Sequence, residues 1–268
     1  DECLAETLNI EIYRTYYSID TYWSLKEHLV SGYHVLPGTV YLEMVLELCR
    51  DSLEDNMVVL EDVFFLAPLA LEQGQIREVH TILETDPLPK SFLVTGKTES
   101  GFIRHAAGNI RLEKYPKESR LELTDFMKTS TKHIKIPEGE KREGQIITSD
   151  RWDCIRDIYF GETKALVYLE LKDKYKKESG QYILHPSLMD CCVNGAIERL
   201  GSRLYLPYSY GKIRLYDNMP ERVYCLLGRK ESENDSETAI FDIILCNTEG
   251  KVFAEIEDYV LKAADGPI

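Results

Sequence analysis

The segment HLVSGYHVLPGTVYLEMVLELC, residues 28–49, shows how the first half of this chain is organised. His28 comes first, Gly32 then permits a tight backbone turn, and Pro37 ends one element before an apolar stretch. Apolar residues at helical spacing predict a buried helix over 38–50: Val40, Met44, Val45 and Leu48. A titratable imidazole against the end of a core helix is an arrangement that suits a general base.

A second segment, LHPSLMDCCVNGAIERL at residues 184–200, predicts another helix over 186–200. Pro186 fits its first turn, where a proline loses no intrahelical hydrogen bond. Asp190 and Asn194 are four residues apart, so their side chains point the same way. Burying a carboxylate is costly unless it is paired or protonated, so an acid between Met189 and Cys191 indicates a function.

Strand-like runs surround both helical segments and predict an α+β chain built from two similar halves. A charged stretch, 128–144, predicts a linker between them. The N-terminal half, 1–127, then carries His28, and the C-terminal half, 145–268, carries Asp190. Two helices meeting across a joint sheet would leave a groove between the halves, with one of these side chains on each side.

Composition excludes several classes of protein. A chain of 268 residues with 44% apolar content can bury a substantial core. Its net charge of −14 argues against a nucleic-acid partner, which needs clustered Lys and Arg. No apolar stretch approaches membrane-spanning length and the first residues do not resemble a signal peptide, so a cytoplasmic chain without a membrane partner is expected.

The seven cysteines are odd in number and lack CxxC spacing, which favours reduced thiols in the core over a metal site or a disulfide framework. Cys191 and Cys192 follow Asp190 directly. Adjacent helical residues point about 100° apart, so at most one of these two thiols can face the same pocket as Asp190. A catalytic thiol there is a weaker alternative to a structural one.

Five segments, in this order along the chain, resemble the motifs of the dehydratase domains of modular polyketide synthases, including those of trans-acyltransferase systems. They are HxxxGxxxxP from His28 to Pro37, LEDVFFLAPL (60–69), HAAG (105–108), HPxxxDxxxN from His185 to Asn194, and LPYSYGKIRL (206–215). The resemblance covers nearly the whole chain. It implies a double hot-dog fold, in which two tandem hot-dog halves each wrap an antiparallel sheet round a central helix.

The same resemblance implies a hydro-lyase that dehydrates a 3-hydroxyacyl thioester to a 2-enoyl thioester during polyketide elongation. His28 would be the base, Asp190 the acid, and Asn194 would orient Asp190 or the substrate hydroxyl. Backbone N–H groups at the start of the Gly38 helix are candidate donors to the thioester carbonyl. The remaining candidates are substrate-binding residues: Gly32, Pro37, Gly38, Trp152, Pro207 and Tyr208.

No metal or redox cofactor is expected, because the substrate would arrive on the phosphopantetheine arm of an acyl carrier protein. That partner would need a local basic patch at the mouth of the substrate tunnel. Neighbouring domains of a megasynthase are further expected partners, and a homodimer is the assembly that the resemblance implies.

Two features depart from the family pattern. Asn194 stands where Gln or His is usual, and Ser149 to Trp152 occupy the place of a Gly-Pro loop without its Gly and Pro. These departures keep alternatives open: a double-bond shift, closure of a pyran ring by oxa-Michael addition, or an inactive structural domain. Retention of Pro37 and Asp190 favours dehydration.

Overall fold

Two core helices, one from each half, pack against a continuous antiparallel sheet in the computed structural model. The structure describes residues 2–7, 9–54, 56–84, 90–139, 146–194, 204–231 and 237–264. The helices are α1 (Trp23–Lys26), α2 (Gly38–Glu47), α3 (Leu123–Thr129) and α4 (Pro186–Asn194). Within the described ranges, 3₁₀ segments cover Arg50–Glu54, Asp150–Trp152 and Asp173–Gln181.

The strands of the first half divide between a large sheet and a small one. They are β1 (Glu2–Glu6), β2 (Ile10–Ser18), β3 (His28–Val30), β4 (Tyr33–Val35), β5 (Met57–Phe65), β6 (Ala70–Leu71), β7 (Ile76–Glu84), β8 (Lys90–Thr98) and β9 (Gly101–Glu113). The later strands are β10 (Lys132–Lys135), β11 (Ile146–Thr148), β12 (Ile155–Phe160), β13 (Lys164–Glu170), β14 (Tyr205–Leu215), β15 (Arg222–Lys230), β16 (Thr238–Cys246) and β17 (Val252–Ala263).

The two halves share one sheet. Among the described residues, thirteen strands follow the order β1-β2-β7-β8-β9-β5-β14-β17-β16-β15-β13-β12-β10. The halves join where β5 pairs antiparallel with β14, with Val63 opposite Tyr210. A smaller sheet in the order β11-β3-β4-β6 covers the end of the site. This is the α+β arrangement that the sequence patterns predict, and it agrees with the double hot-dog fold that the resemblance implies.

Alternation of burial along the strands explains how the sheet wraps its helices. In β16 every second residue from Ala239 to Leu245 is buried, as a strand with one core face requires. Helix α2 is buried from Thr39 to Leu46, because the sheet curves round it and leaves it almost no solvent face. The α2 helix ends at Glu47, three residues before the predicted end at 50, and a 3₁₀ segment begins at Arg50.

The second predicted helix and the predicted linker agree only in part with the observed elements. The second predicted helix, over 186–200, is described as α4 to Asn194, and residues 195–203 lie outside the described part of the chain. Within the predicted linker, 128–144, residues 132–135 form β10, which pairs antiparallel with β12 of the second half. In addition, β11 pairs with β3 of the first half. The division at 127 and 145 therefore stays a prediction.

A buried carboxylate connects the two central helices. The Glu43 side chain of α2 accepts hydrogen bonds from the backbone N–H groups of Ile183 and Leu184, at 2.8 and 2.7 Å, just before α4. The Thr39 hydroxyl also donates to the carbonyl oxygen of Pro186 at 3.1 Å. These bonds hold the start of α4 against α2.

Replacing Glu43 with glutamine is expected to change how stability depends on pH. Burial raises the pKa of Glu43 from 4.5 to about 7. A carboxyl group whose pKa is higher in the folded state stabilises the fold most below pH 4.5, and this contribution falls as the pH rises to about 7. The free energy of unfolding of the wild type, relative to Glu43→Gln, should therefore fall by about 3 kcal/mol across this interval.

Denaturant unfolding at a series of pH values measures this difference. Glu47→Gln is the matched control, because Glu47 lies on the same helix but is half exposed and pairs with Arg50. Parallel pH curves for the wild type and Glu43→Gln would contradict the prediction.

No described helix has the length and apolar character needed to span a lipid bilayer.

Candidate active site

His28 is a buried imidazole at the start of β3. Its Nδ1 lies 2.8 Å from the carbonyl oxygen of Val35. A carbonyl can only accept, so Nδ1 carries the proton and the neutral ring keeps the Nε2 lone pair as its basic site. In the small sheet His28 lies opposite Thr148, which brings the 149–152 loop next to the ring.

The Ser31-Gly32 turn brings Val35 back to His28. Both residues have positive φ, 51° at Ser31 and 88° at Gly32, as a two-residue hairpin between β3 and β4 needs. Gly32 is exposed at this turn and does not line the cavity beside His28. The positive φ of this turn therefore explains why residue 32 is a glycine. Substrate binding by Gly32 stays a prediction.

The start of α2 forms one wall of the site. Pro37 precedes the helix, and Gly38 is its first residue. A Cβ atom on Gly38 would meet the Phe65 ring at 3.0 Å, so the glycine lets this ring lie directly against the helix N-terminus. The first backbone N–H groups of a helix have no partner within it, and here that end faces the cavity.

Asp190 reaches the site from the second half. It lies in α4, is 5% exposed, and accepts a hydrogen bond at Oδ2 from the indole Nε1 of Trp152 at 2.8 Å. The same Trp152 ring stacks on the His28 ring, with 5.6 Å between their centroids and 29° between their planes. One indole thus touches both predicted reacting groups.

His28 and Asp190 line the same cavity of about 180 Å³. At roughly 30 Å³ per molecule, this is the volume of about six waters, or the reacting end of an acyl chain. The other lining residues are mostly apolar: Val30, Val35, Leu36, Pro37, Gly38, Tyr41, Phe65, Leu66, Ala67, Pro68, Leu206 and Pro207. A larger cavity of about 700 Å³ lies near Arg50 and Tyr115 but contains neither His28 nor Asp190.

The predicted substrate-binding residues divide into two groups. Pro37, Gly38 and Pro207 line the cavity. Trp152 does not line it but contacts His28 and Asp190, which do. Tyr208 is 37% exposed beside Pro207, with the Lys262 ammonium 3.6 Å from its ring centroid. The Asn194 side chain lies outside the described part of the structure, so its orienting role stays a prediction.

Other titratable groups near the site have structural contacts. His34 Nδ1 lies 3.0 Å from the Leu25 carbonyl oxygen. His185 is fully buried, and burial lowers the pKa of its imidazole to about 4. The Cys191 thiol donates to the Trp152 carbonyl, and burial raises the pKa of the Cys192 thiol. None of these groups lines the cavity beside Asp190.

The sequence pattern missed the contact of Trp152 with Asp190. Trp152 follows a polar 149–151 segment, and no local periodicity indicates which element its indole will reach. The signal that could have found it is chemical: a buried indole N–H needs an acceptor, and Asp190 is a buried acceptor in the other predicted motif.

Comparison with known proteins identifies the family. Residues 142–267 match the family described as "Polyketide synthase dehydratase N-terminal domain". Residues 5–95 match the one described as "Polyketide synthase dehydratase domain". Among curated relatives, polyketide synthase PksM of Bacillus subtilis is 23% identical over 92% of this chain, and naringenin synthase of Pestalotiopsis fici is 22% identical over 91%. The chain spans only 6% and 10% of their lengths.

Solved structures share the fold. The dehydratase domain from the CurF module of curacin polyketide synthase matches with a TM-score of 0.87 at 22% identity, over 98% of this chain and 97% of that one. An N-terminal dehydratase from the difficidin assembly line matches with a TM-score of 0.83 at 19% identity, over 96% and 94%. The double hot-dog fold is thereby confirmed, and the chain belongs to the dehydratase domains of polyketide synthases, a family of hydro-lyases.

Proposed function

We propose that this chain eliminates water from a 3-hydroxyacyl thioester to form a 2-enoyl thioester during polyketide chain elongation. One observation carries the proposal: His28 and Asp190, from different halves, line one small apolar cavity. Elimination needs a base at C2 and an acid at C3, and a buried imidazole and a buried carboxyl group across a cavity provide that pair.

His28 removes the C2 proton. The hydrogen bond from Nδ1 to Val35 leaves Nε2 as the atom that accepts this proton. The electron pair of the C2–H bond then forms the C2–C3 double bond. The imidazolium that results stays hydrogen-bonded to the Val35 carbonyl, which stabilises its positive charge.

Asp190 donates a proton to the departing hydroxyl as the C3–O bond breaks, so that water leaves. Its Oδ2 accepts the hydrogen bond from Trp152, which favours the proton residing on Oδ1. The apolar lining of the cavity disfavours the charged carboxylate and so favours the protonated acid before reaction.

The backbone N–H of Gly38 is the candidate donor to the thioester carbonyl. Negative charge develops on that oxygen when C2 loses its proton, and the N-terminal end of α2 is the positive end of the helix dipole. The Phe65 ring lies close beside Gly38 and adds an apolar surface next to this donor.

An acyl carrier protein is the proposed carrier of the substrate, through its phosphopantetheine arm. Lys262 lies opposite the lining residue Leu206 in the β14–β17 pair and places a cation near the cavity. An acidic partner would be attracted there. Neighbouring megasynthase domains, a homodimer and a cytoplasmic location remain predictions.

Incubation with a 3-hydroxyacyl carrier protein, followed by intact mass measurement, tests the proposal. Loss of one water supports dehydration. One structural neighbour is described as an isomerase-inactive variant, so the same assay with a 2-enoyl carrier protein should include chromatography. Altered retention without a mass change would indicate a double-bond shift, and an unchanged 3-hydroxyacyl substrate would contradict the proposed function.

A further inference from the structure

Trp152 is connected to the base-bearing strand through Glu27. The backbone N–H of Ser149 donates to the Glu27 carbonyl oxygen at 3.1 Å, and the Ser149 hydroxyl donates to the Glu27 carboxylate. The Arg151 guanidinium pairs with that carboxylate as well. Since Glu27 directly precedes His28, these bonds hold the 149–152 loop beside the base.

The same loop is connected to the acid-bearing helix. The Ser187 hydroxyl donates to the Arg151 carbonyl oxygen at 3.0 Å, and the Cys191 thiol donates to the Trp152 carbonyl at 3.1 Å. Ser187 and Cys191 lie on either side of Asp190 in α4. The loop therefore makes contacts to both halves within four residues of chain.

Arg151 holds the loop through its side chain. Its guanidinium carbon lies 4.7 Å from the Trp23 ring centroid and 4.4 Å from that of Tyr175. It also pairs with Glu178 at 3.1 Å, on the far side from Glu27. A guanidinium that contacts two rings and two carboxylates is held in one orientation, and its positive charge is balanced there.

We propose that Trp152 is a positioning residue that sets the relation between the base and the acid of this site. Its ring face packs on His28 and its N–H binds Asp190, while the 149–152 loop fixes its backbone from both halves. The inference rests on the proposed dehydration. It assigns to Trp152 an orienting role at Asp190, whereas the resemblance implies that Asn194 orients Asp190 or the substrate hydroxyl.

Replacing Trp152 with phenylalanine keeps an aromatic ring near His28 and removes the N–H donor. The kcat for water loss should fall about 10- to 100-fold, with KM within about threefold of wild type. An N–H donor stabilises an ionised carboxylate, so its removal lets Asp190 keep its proton to higher pH. The alkaline limb of the kcat profile should accordingly move to higher pH.

Trp23→Phe is the matched control. The chain has two tryptophans, and Trp23 belongs to the same aromatic cluster, 5.6 Å from Trp152 between ring centroids. Its N–H donates to the Tyr182 hydroxyl at 3.0 Å instead of to Asp190. This variant should keep kcat within about threefold of wild type and leave the alkaline limb in place.

A second measurement needs no variant of Trp152. In the Trp23→Phe protein one indole N–H resonance remains, and adding Asp190→Asn should shift it, because the acceptor changes from a carboxyl oxygen to an amide oxygen. An unshifted resonance would overturn the proposed contact. If the wild type is active and Trp152→Phe matches Trp23→Phe in kcat and pH profile, the inference about Trp152 is wrong while the proposed function stands. If the wild type releases no water, both the proposed function and the inference are wrong.

Discussion

His28→Ala is expected to abolish water elimination while leaving the fold intact. The substitution removes the proposed base, and loss of a general base lowers rates by about 10²- to 10⁴-fold. Among the described residues, the His28 ring bonds only Val35, and it lies beside a cavity, so the structure can accommodate a smaller side chain. Single-turnover conversion of a 3-hydroxyacyl carrier protein, followed by mass spectrometry, measures the effect.

His34→Ala provides the matched control for this experiment. His34 lies in the neighbouring strand β4 and also bonds a backbone carbonyl through Nδ1, but it does not line the cavity. Its replacement should leave turnover close to wild type. A folded His28→Ala protein with near-native turnover would refute the assignment of the base.

Asp190→Asn is expected to be inactive in elimination although its shape barely changes. An amide cannot deliver a proton to a departing hydroxide, whereas its oxygen can still accept the Trp152 N–H. The rate should fall by about 10²-fold or more. Stability should fall little or rise, because a buried acid is replaced by a neutral group.

Hydration of the 2-enoyl thioester extends this test, since the same two groups serve the reverse reaction. Asp190→Asn should lose both directions together. Asp217→Asn, at an exposed carboxylate near Lys251, is the control and should retain both. Release of water at the wild-type rate by Asp190→Asn would show that another group supplies the proton.

Much of the fold followed from local patterns. Strand-like runs were predicted on both sides of each helical segment, and residues 76–84, 155–160 and 238–246 are strands. The helix beginning at Gly38 is confirmed because its apolar spacing and the preceding proline agree. The 128–144 stretch was harder to interpret, because β10 is a short edge strand with little burial and so shows almost no hydrophobic pattern.

Some residues of the candidate site were also identifiable from local sequence features, and others were not. His28 and Asp190 were identifiable as candidates because an imidazole before a buried helix and an acid within an apolar helix are local anomalies. Gly32 was a candidate for substrate binding, yet the structure places it at an exposed turn with φ of 88°. A glycine required by backbone conformation and one required by a ligand look alike in a sequence.

The sequence by itself therefore determined the order of the elements, the two central helices and the candidates His28 and Asp190, and its resemblance to a known family implied their roles as base and acid. The tertiary structure alone decided that these two groups share a cavity and that Trp152 contacts both. The bond from Trp152 to Asp190 joins residues 38 positions apart. Its existence depends on how the 149–152 loop packs against α4, because a hydrogen bond needs a distance and an angle that only the packed core fixes.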